Sequence, residues 1–233
     1  MSDESRPGGF PIYASGQTGA SRAVIVIQEA FGVTDHIRSV ADRFAGEGYL
    51  AVAPHLFHRD GSPEVPYDDI PQAMTFAGTL TKQGITNDLN ATTEFLTTLG
   101  FAPANIGIVG FCMGGTVAFC AATLGTVGAA VTFYGGGLTA GRFGFAPLVE
   151  LAADLQCPWL GLFGDLDQSI PPEQVEELRR ATDAVSVSTD IVRYADGKHG
   201  FHNDARPDAY NEEAALDAFQ RTLTFLSAHL TDK

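Results

Sequence analysis

The 233-residue chain is poor in cysteine, tryptophan and basic side chains, with three cysteines, one tryptophan and 14 lysines plus arginines against 28 acidic residues. Three cysteines cannot build a dense disulfide framework, and an odd number leaves at least one thiol free. That favours a reducing compartment, so the expected location is the cytoplasm. The formal net charge of -14, without a basic cluster, sets the chain against nucleic acid and anionic lipid as partners. No run approaches the ~18 apolar residues needed to span a bilayer, and the opening MSDESRPGGF lacks a basic stretch followed by an apolar one. Internal repeats, low-complexity tracts and linkers are missing as well. What remains is an ordinary globular composition, 45% hydrophobic and 18% charged, expected to form one domain over residues 1–233. The expected state is a monomer or weak homo-oligomer.

Strands and helices alternate along the chain. Ala23–Ile27 is a β-branched run of the kind that forms a parallel strand covered on both faces. Ile37, Val40, Ala41, Phe44 and Ala45 follow at helical spacing, behind Thr34 or Asp35 as cap and ahead of Gly46 and Gly48 as stop. Tyr49–Ala53 is the next strand. Pro54 then opens a Pro-, Asp- and Gly-rich segment, His55–Pro71, expected to run over the surface. Ile85, Leu89, Thr92, Leu96 and Leu99 mark a second helix, and further strands are expected at Ile106–Val109, Gly128–Tyr134, Trp159–Phe163 and Val187–Arg193. A helix starting near Pro172 and a last one carrying Phe219, Leu223, Leu226 and Leu230 complete the series. This order predicts a mostly parallel, doubly wound α/β sheet with helices on both faces and ligands beyond its carboxyl edge.

The chemistry concentrates at that edge. In Gly110-Phe111-Cys112-Met113-Gly114-Gly115 a nucleophile stands between glycines at minus two and plus two, after a strand and before a helix expected over 113–124. In such an elbow the nucleophile occupies a strained turn, and larger neighbours would clash with the converging strand and helix. The helix end directs its positive dipole at the sulfur and offers the Met113 N–H to a developing oxyanion. The competing reading is a buried cysteine in a nucleotide-binding turn, but the G-x-G-x-x-G spacing is absent. A carboxylate and a histidine follow in the chain order of α/β-hydrolases. Asp167 lies in the loop Gly164–Pro171 and is preferred over Asp165, which sits just past the strand and suits a bracing role. His199, after the last strand, is the candidate base.

The other candidates have plainer readings. His202 can be a surface or packing histidine, and His199/His202 and His55/His58 lack the companion carboxylates or cysteines of a metal site, so no metal is expected. Cys120 is expected in core packing, Cys157 ahead of a strand, and His36 and His229 exposed on helices.

With Gln28-Glu29-Ala30-Phe31-Gly32, the cysteine elbow, Tyr134-Gly135-Gly136, the Asp167 loop and His199-Gly200-Phe201, the chain resembles the dienelactone hydrolase family (carboxymethylenebutenolidases) over most of its length. The resemblance implies an α/β-hydrolase fold and a Cys112-Asp167-His199 triad. It also implies lactone or small-ester hydrolysis through a thioester, no cofactor, Glu29 as a partner of the thiol, and Ala30 N–H as a second oxyanion donor. A carboxylate beside a thiol disfavours the thiolate, so a mostly neutral resting thiol, activated when substrate rearranges Glu29, is expected. Family members acting on dienelactone hold its carboxylate with arginines, one of them shortly after the histidine, where this chain has His202-Asn203-Asp204. Lys82 and Arg206 are the candidate replacements, and dienelactone itself is not the expected substrate. The alternatives are a general carboxylesterase or thioesterase, and a non-catalytic protein using Cys112 as a redox-sensing thiol.

Overall fold

The computed structural model describes residues 11–233 and the short strand β1, Glu4–Ser5. The rest of the opening MSDESRPGGF lies outside the described residues. After β1 the strands are β2 (Pro11–Ser15), β3 (Ala23–Ile27), β4 (Leu50–Pro54), β5 (Ile106–Phe111), β6 (Ala129–Phe133), β7 (Trp159–Gly164) and β8 (Thr189–Tyr194). They form one sheet in the order β1-β2-β4-β3-β5-β6-β7-β8. β3 to β8 pair in parallel, and β1 and β2 add an antiparallel edge that the sequence reading did not include. The six expected strands all form, each within two residues of its expected ends.

The helices are α1 (Asp35–Gly46), α2 (Ile70–Ala77), α3 (Lys82–Thr98), α4 (Met113–Ala122), α5 (Leu148–Leu151), α6 (Pro172–Thr182) and α7 (Glu212–His229). Every residue of β3, β4, β5, β6 and β7 is buried, as expected for strands covered by helices on both faces. α4 is buried along its whole length, so the elbow it forms with β5 lies in the middle of the core.

Three expectations need correction. The His55–Pro71 segment is not simply superficial: His55, Leu56, Phe57 and Val65 are buried. A single helical turn at His58–Asp60 is pinned by the buried Asp88 carboxylate, which accepts bonds of 2.8 and 2.7 Å from Arg59 and one of 3.2 Å from His58 Nε2. His36 is buried rather than exposed, because its Nδ1 bonds Asp204 at 2.9 Å and its ring packs on Phe111. His229 is half-buried, its ring centroid 4.5 Å from that of Phe225. Cys120 and Cys157 are both buried, Cys120 within the fully buried α4.

The β5–α4 crossing sets the steric terms. A Cβ on Gly110 would lie 1.8 Å from the Gly114 carbonyl oxygen, and one on Gly114 would lie 2.5 Å from the carbonyl oxygens of Ile27 and Gln28. These are backbone atoms that cannot swing aside. Gly46, in α1, has open space around its Cβ position. Gly110→Ala should therefore destabilise the fold by about 3 kcal/mol or more, whereas Gly46→Ala should stabilise it by about 0.4–1 kcal/mol; urea denaturation of the two variants checks both signs.

Candidate active site

Cys112 occupies the turn between β5 and α4 at φ 54 and ψ -117, a conformation that side chains other than glycine rarely adopt. Its N–H bonds the Phe133 carbonyl at 3.0 Å and its own carbonyl accepts from Gly115 at 3.0 Å, so both neighbouring elements hold the strained residue in place. Met113 begins α4, and its N–H has no acceptor within the helix. Ala30, three residues past β3 and four before the α1 cap Thr34, lines the same cavity as Cys112.

The loops after β7 and β8 supply the acid and the base. His199 Nδ1 donates to Asp167 Oδ2 at 2.6 Å, which leaves Nε2 for the thiol. Asp167 Oδ1 accepts from the Ser169 N–H at 2.8 Å and the Ser169 hydroxyl at 2.6 Å. Burial alone would raise the Asp167 pKa, but the bonds and charge of His199 and the Ser169 bonds outweigh it and hold the carboxyl below its usual range. Asp165 is engaged elsewhere, accepting from Arg193 Nε at 2.6 Å, so its bracing partner is a side chain on β8.

The thiol and imidazole perturb one another. Burial works to raise the Cys112 pKa, yet the charge and hydrogen bond of His199 prevail and lower it. Burial likewise opposes protonation of His199, but Cys112 and Asp167 together raise its pKa to about 10. Both shifts run toward a thiolate–imidazolium pair, against the direction expected from Glu29. The reason is where Glu29 points its bonds: one oxygen accepts from Asn203 Nδ2 at 2.6 Å and the other from the Tyr134 hydroxyl at 3.4 Å. Glu29 still raises the thiol pKa through its charge, as the smaller contribution.

Tyr134, Asn203, Ser169 and Arg142 were not singled out as individual site residues by sequence reasoning. Tyr134 has a positive φ of 39 and its ring centroid lies 5.2 Å from that of His199. The Tyr134-Gly135-Gly136 run after a strand was its available signal, and an Asx-type turn at Asp167 was that of Ser169. Arg142 carries no local signature. His202 is a packing histidine, enclosed by the rings of Phe111, Phe133, Phe219 and His36, and burial lowers its pKa to about 3.

Cys112 opens into a cavity of about 570 Å³ whose apolar wall includes Phe31, Ile70, Met74 and Leu138 and whose cations are Arg142 and Arg206. Arg206 thus reaches the site. Lys82 does not line it, resting instead over the Phe145 ring, 5.4 Å from its centroid.

The perturbed thiol has a direct test. Alkylation of Cys112 by iodoacetamide, followed by mass spectrometry against pH, should show a midpoint below the ~8.5 of a free cysteine, and His199→Gln should move it upward. Cys120 and Cys157, whose pKa values burial pushes up to about 12, should stay unmodified in the native protein.

Known proteins share this arrangement of sequence and fold. Residues 10–230 match the model of the dienelactone hydrolase family. A curated protein of Salmonella typhimurium, named "Putative carboxymethylenebutenolidase", is 39% identical over 215 residues, covering 91% of this chain and 78% of the relative. One from Bradyrhizobium, named "Probable 2-oxo-3-(5-oxofuran-2-ylidene)propanoate lactonase", is 29% identical over 219 residues, covering 93% and 87%. The crystal structure of a "Putative Dienelactone Hydrolase" from Klebsiella pneumoniae superposes with a TM-score of 0.86 at 36% identity, covering 95% of this chain and 94% of the other. The family match spans residues 10–230, and on it, with the 39% identical relative, the chain belongs to the dienelactone hydrolase family.

Proposed function

We propose that the chain is a cysteine-dependent hydrolase of lactones or small esters, working through a thioester on Cys112. The observation that carries this reading is a strained, half-exposed Cys112 and a His199 imidazole lining one cavity, with the buried Asp167 bonded to His199 behind it. The names of the relatives, a carboxymethylenebutenolidase and a lactonase, support the substrate class.

The chemistry follows from the groups present. The Cys112 thiolate attacks the substrate carbonyl carbon, and the oxyanion that forms accepts from the Ala30 and Met113 N–H groups, each such donor worth about 2.7–4 kcal/mol in the transition state. The imidazolium of His199 protonates the leaving oxygen as the C–O bond breaks, giving the thioester and a neutral imidazole. His199 then takes a proton from water, whose oxygen attacks the thioester, and expulsion of the thiolate restores the imidazolium pair. Asp167 keeps His199 in the tautomer and orientation both steps need. Glu29, held by Tyr134 and Asn203, contributes a fixed negative charge near the thiol that limits its standing reactivity.

A panel of lactones and aryl esters tests the reading. Cys112→Ala should remove turnover and the acyl adduct seen by intact-protein mass spectrometry, and Asp167→Asn should lower kcat by about 10²–10⁴-fold. Hydrolysis that persists at the wild-type rate in Cys112→Ala would overturn it.

A further inference from the structure

Large apolar side chains are rarely left in water by this chain. Among the described residues the exposed ones are Ile70, Met74, Leu166 and Leu216. Two of the four, Ile70 and Met74, stand one turn apart on α2 and line the cavity that Cys112 opens into. They are 44% and 48% exposed. A lone exposed leucine needs no explanation, whereas neighbouring apolar side chains at the mouth of a catalytic cavity are the kind of patch that binds something.

The helix itself shows that folding does not use them. Ile70, Ala73, Met74 and Ala77 recur at i, i+3, i+4 and i+7, so they form one apolar stripe. Folding covers the small members of that stripe, since Ala73 and Ala77 are each 1% exposed. The large members stay uncovered, and neither Ile70 nor Met74 belongs to the hydrophobic core. That inverts the usual arrangement, in which the bulkiest side chains of an amphipathic helix supply its burial. Other groups hold α2 in place. Asp69 caps it by accepting from the Gln72 N–H at 3.1 Å, Pro71 suits its first turn, and Phe76 packs on Phe57 with ring centroids 5.9 Å apart.

We infer that Ile70 and Met74 form a subsite for an apolar substituent of the substrate, an alkyl or aryl group of several carbons, and that α2 sets the selectivity for it. The inference rests on the ester-hydrolase reading above. The occupant follows from continuity: the two side chains share one cavity of about 570 Å³ with the thiol, and Phe31 and Leu138 line the same space. An ester bound at Cys112 therefore carries its substituent into a cavity whose large apolar groups are still in contact with water. Covering them removes apolar surface from water on both partners, which stabilises bound substrate and transition state alike, so the gain falls on KM.

Two ester series with a common parent test this, each ester corrected for its background hydrolysis. Phenyl acetate, butanoate and hexanoate lengthen the acyl half; phenyl, 4-ethylphenyl and 4-butylphenyl acetate lengthen the leaving half. In the wild type, one of the two series should show kcat/KM rising by about 2- to 4-fold per added methylene, mainly through KM. Ile70→Ser and Met74→Ser should each flatten that slope and the double variant should abolish it, whereas Met74→Leu, similar in volume and apolar, should keep it. Leu216→Ser removes an exposed leucine of α7 that does not line the cavity, and should leave the slope as in the wild type. The slope is the readout because any effect of a variant on the fold or on the thiol cancels across substrates. Flat slopes in both wild-type series, or a slope that survives the double variant, would overturn the inference and leave the hydrolase reading intact. So would sedimentation velocity showing that Met74→Ser turns a dimer into a monomer while the slope is unchanged, since the two side chains would then be a contact between copies of the chain. Failure of the wild type to cleave any of these esters or any of the panel above would overturn the hydrolase reading first, and this inference with it.

Discussion

The site depends on β5 and α4 meeting with no side chain between them. Gly110 and Gly114 approach so closely that a single methyl at Gly110 would overlap the Gly114 carbonyl. That contact drives Cys112 into a positive-φ conformation, lifts its sulfur out of the buried strand, and leaves the first N–H of α4 beside it. α4 is buried on every side and can afford no shift to relieve the turn, so the surrounding core maintains the strain.

Around that fixed sulfur the charges are arranged in layers. His199 and Asp167 push the thiol toward the thiolate and the imidazole toward its charged form. Glu29 opposes this from a position held by Tyr134 and Asn203. Beyond them lie Arg142 and Arg206, two unneutralised cations in a protein of net charge -14. The thiol is thus pushed toward its thiolate by His199, restrained by one carboxylate, and shares its cavity with two cations.

Much of the framework was legible because its signals are local. Parallel strands covered on both faces read as unbroken apolar runs, and Ala23–Ile27 matches its strand residue for residue. The edge strand Pro11–Ser15 escaped because its buried run is only Ile12, Tyr13 and Ala14, set behind a stretch of Pro and Gly that reads as loop. α2 escaped because its eight residues sit next to a Pro- and Asp-rich stretch that reads as loop. His36 was misjudged for a different reason: the residue that satisfies it, Asp204, lies 168 positions away, beyond the reach of any helical pattern.

The same division separates what each level of description decided. The amino-acid sequence by itself determined the alternating α/β framework and the glycine-flanked turn at Cys112, since strand burial, helical period and the exclusion of a Cβ are properties of a few consecutive residues. Tertiary structure alone decided that Asp167 meets His199 while Asp165 is taken by Arg193, that Glu29 faces Asn203, and that Arg142 and Arg206 line the same cavity as Cys112. Each of those outcomes is a competition between partners distant in the chain, settled by which of them the sheet order brings within bonding distance.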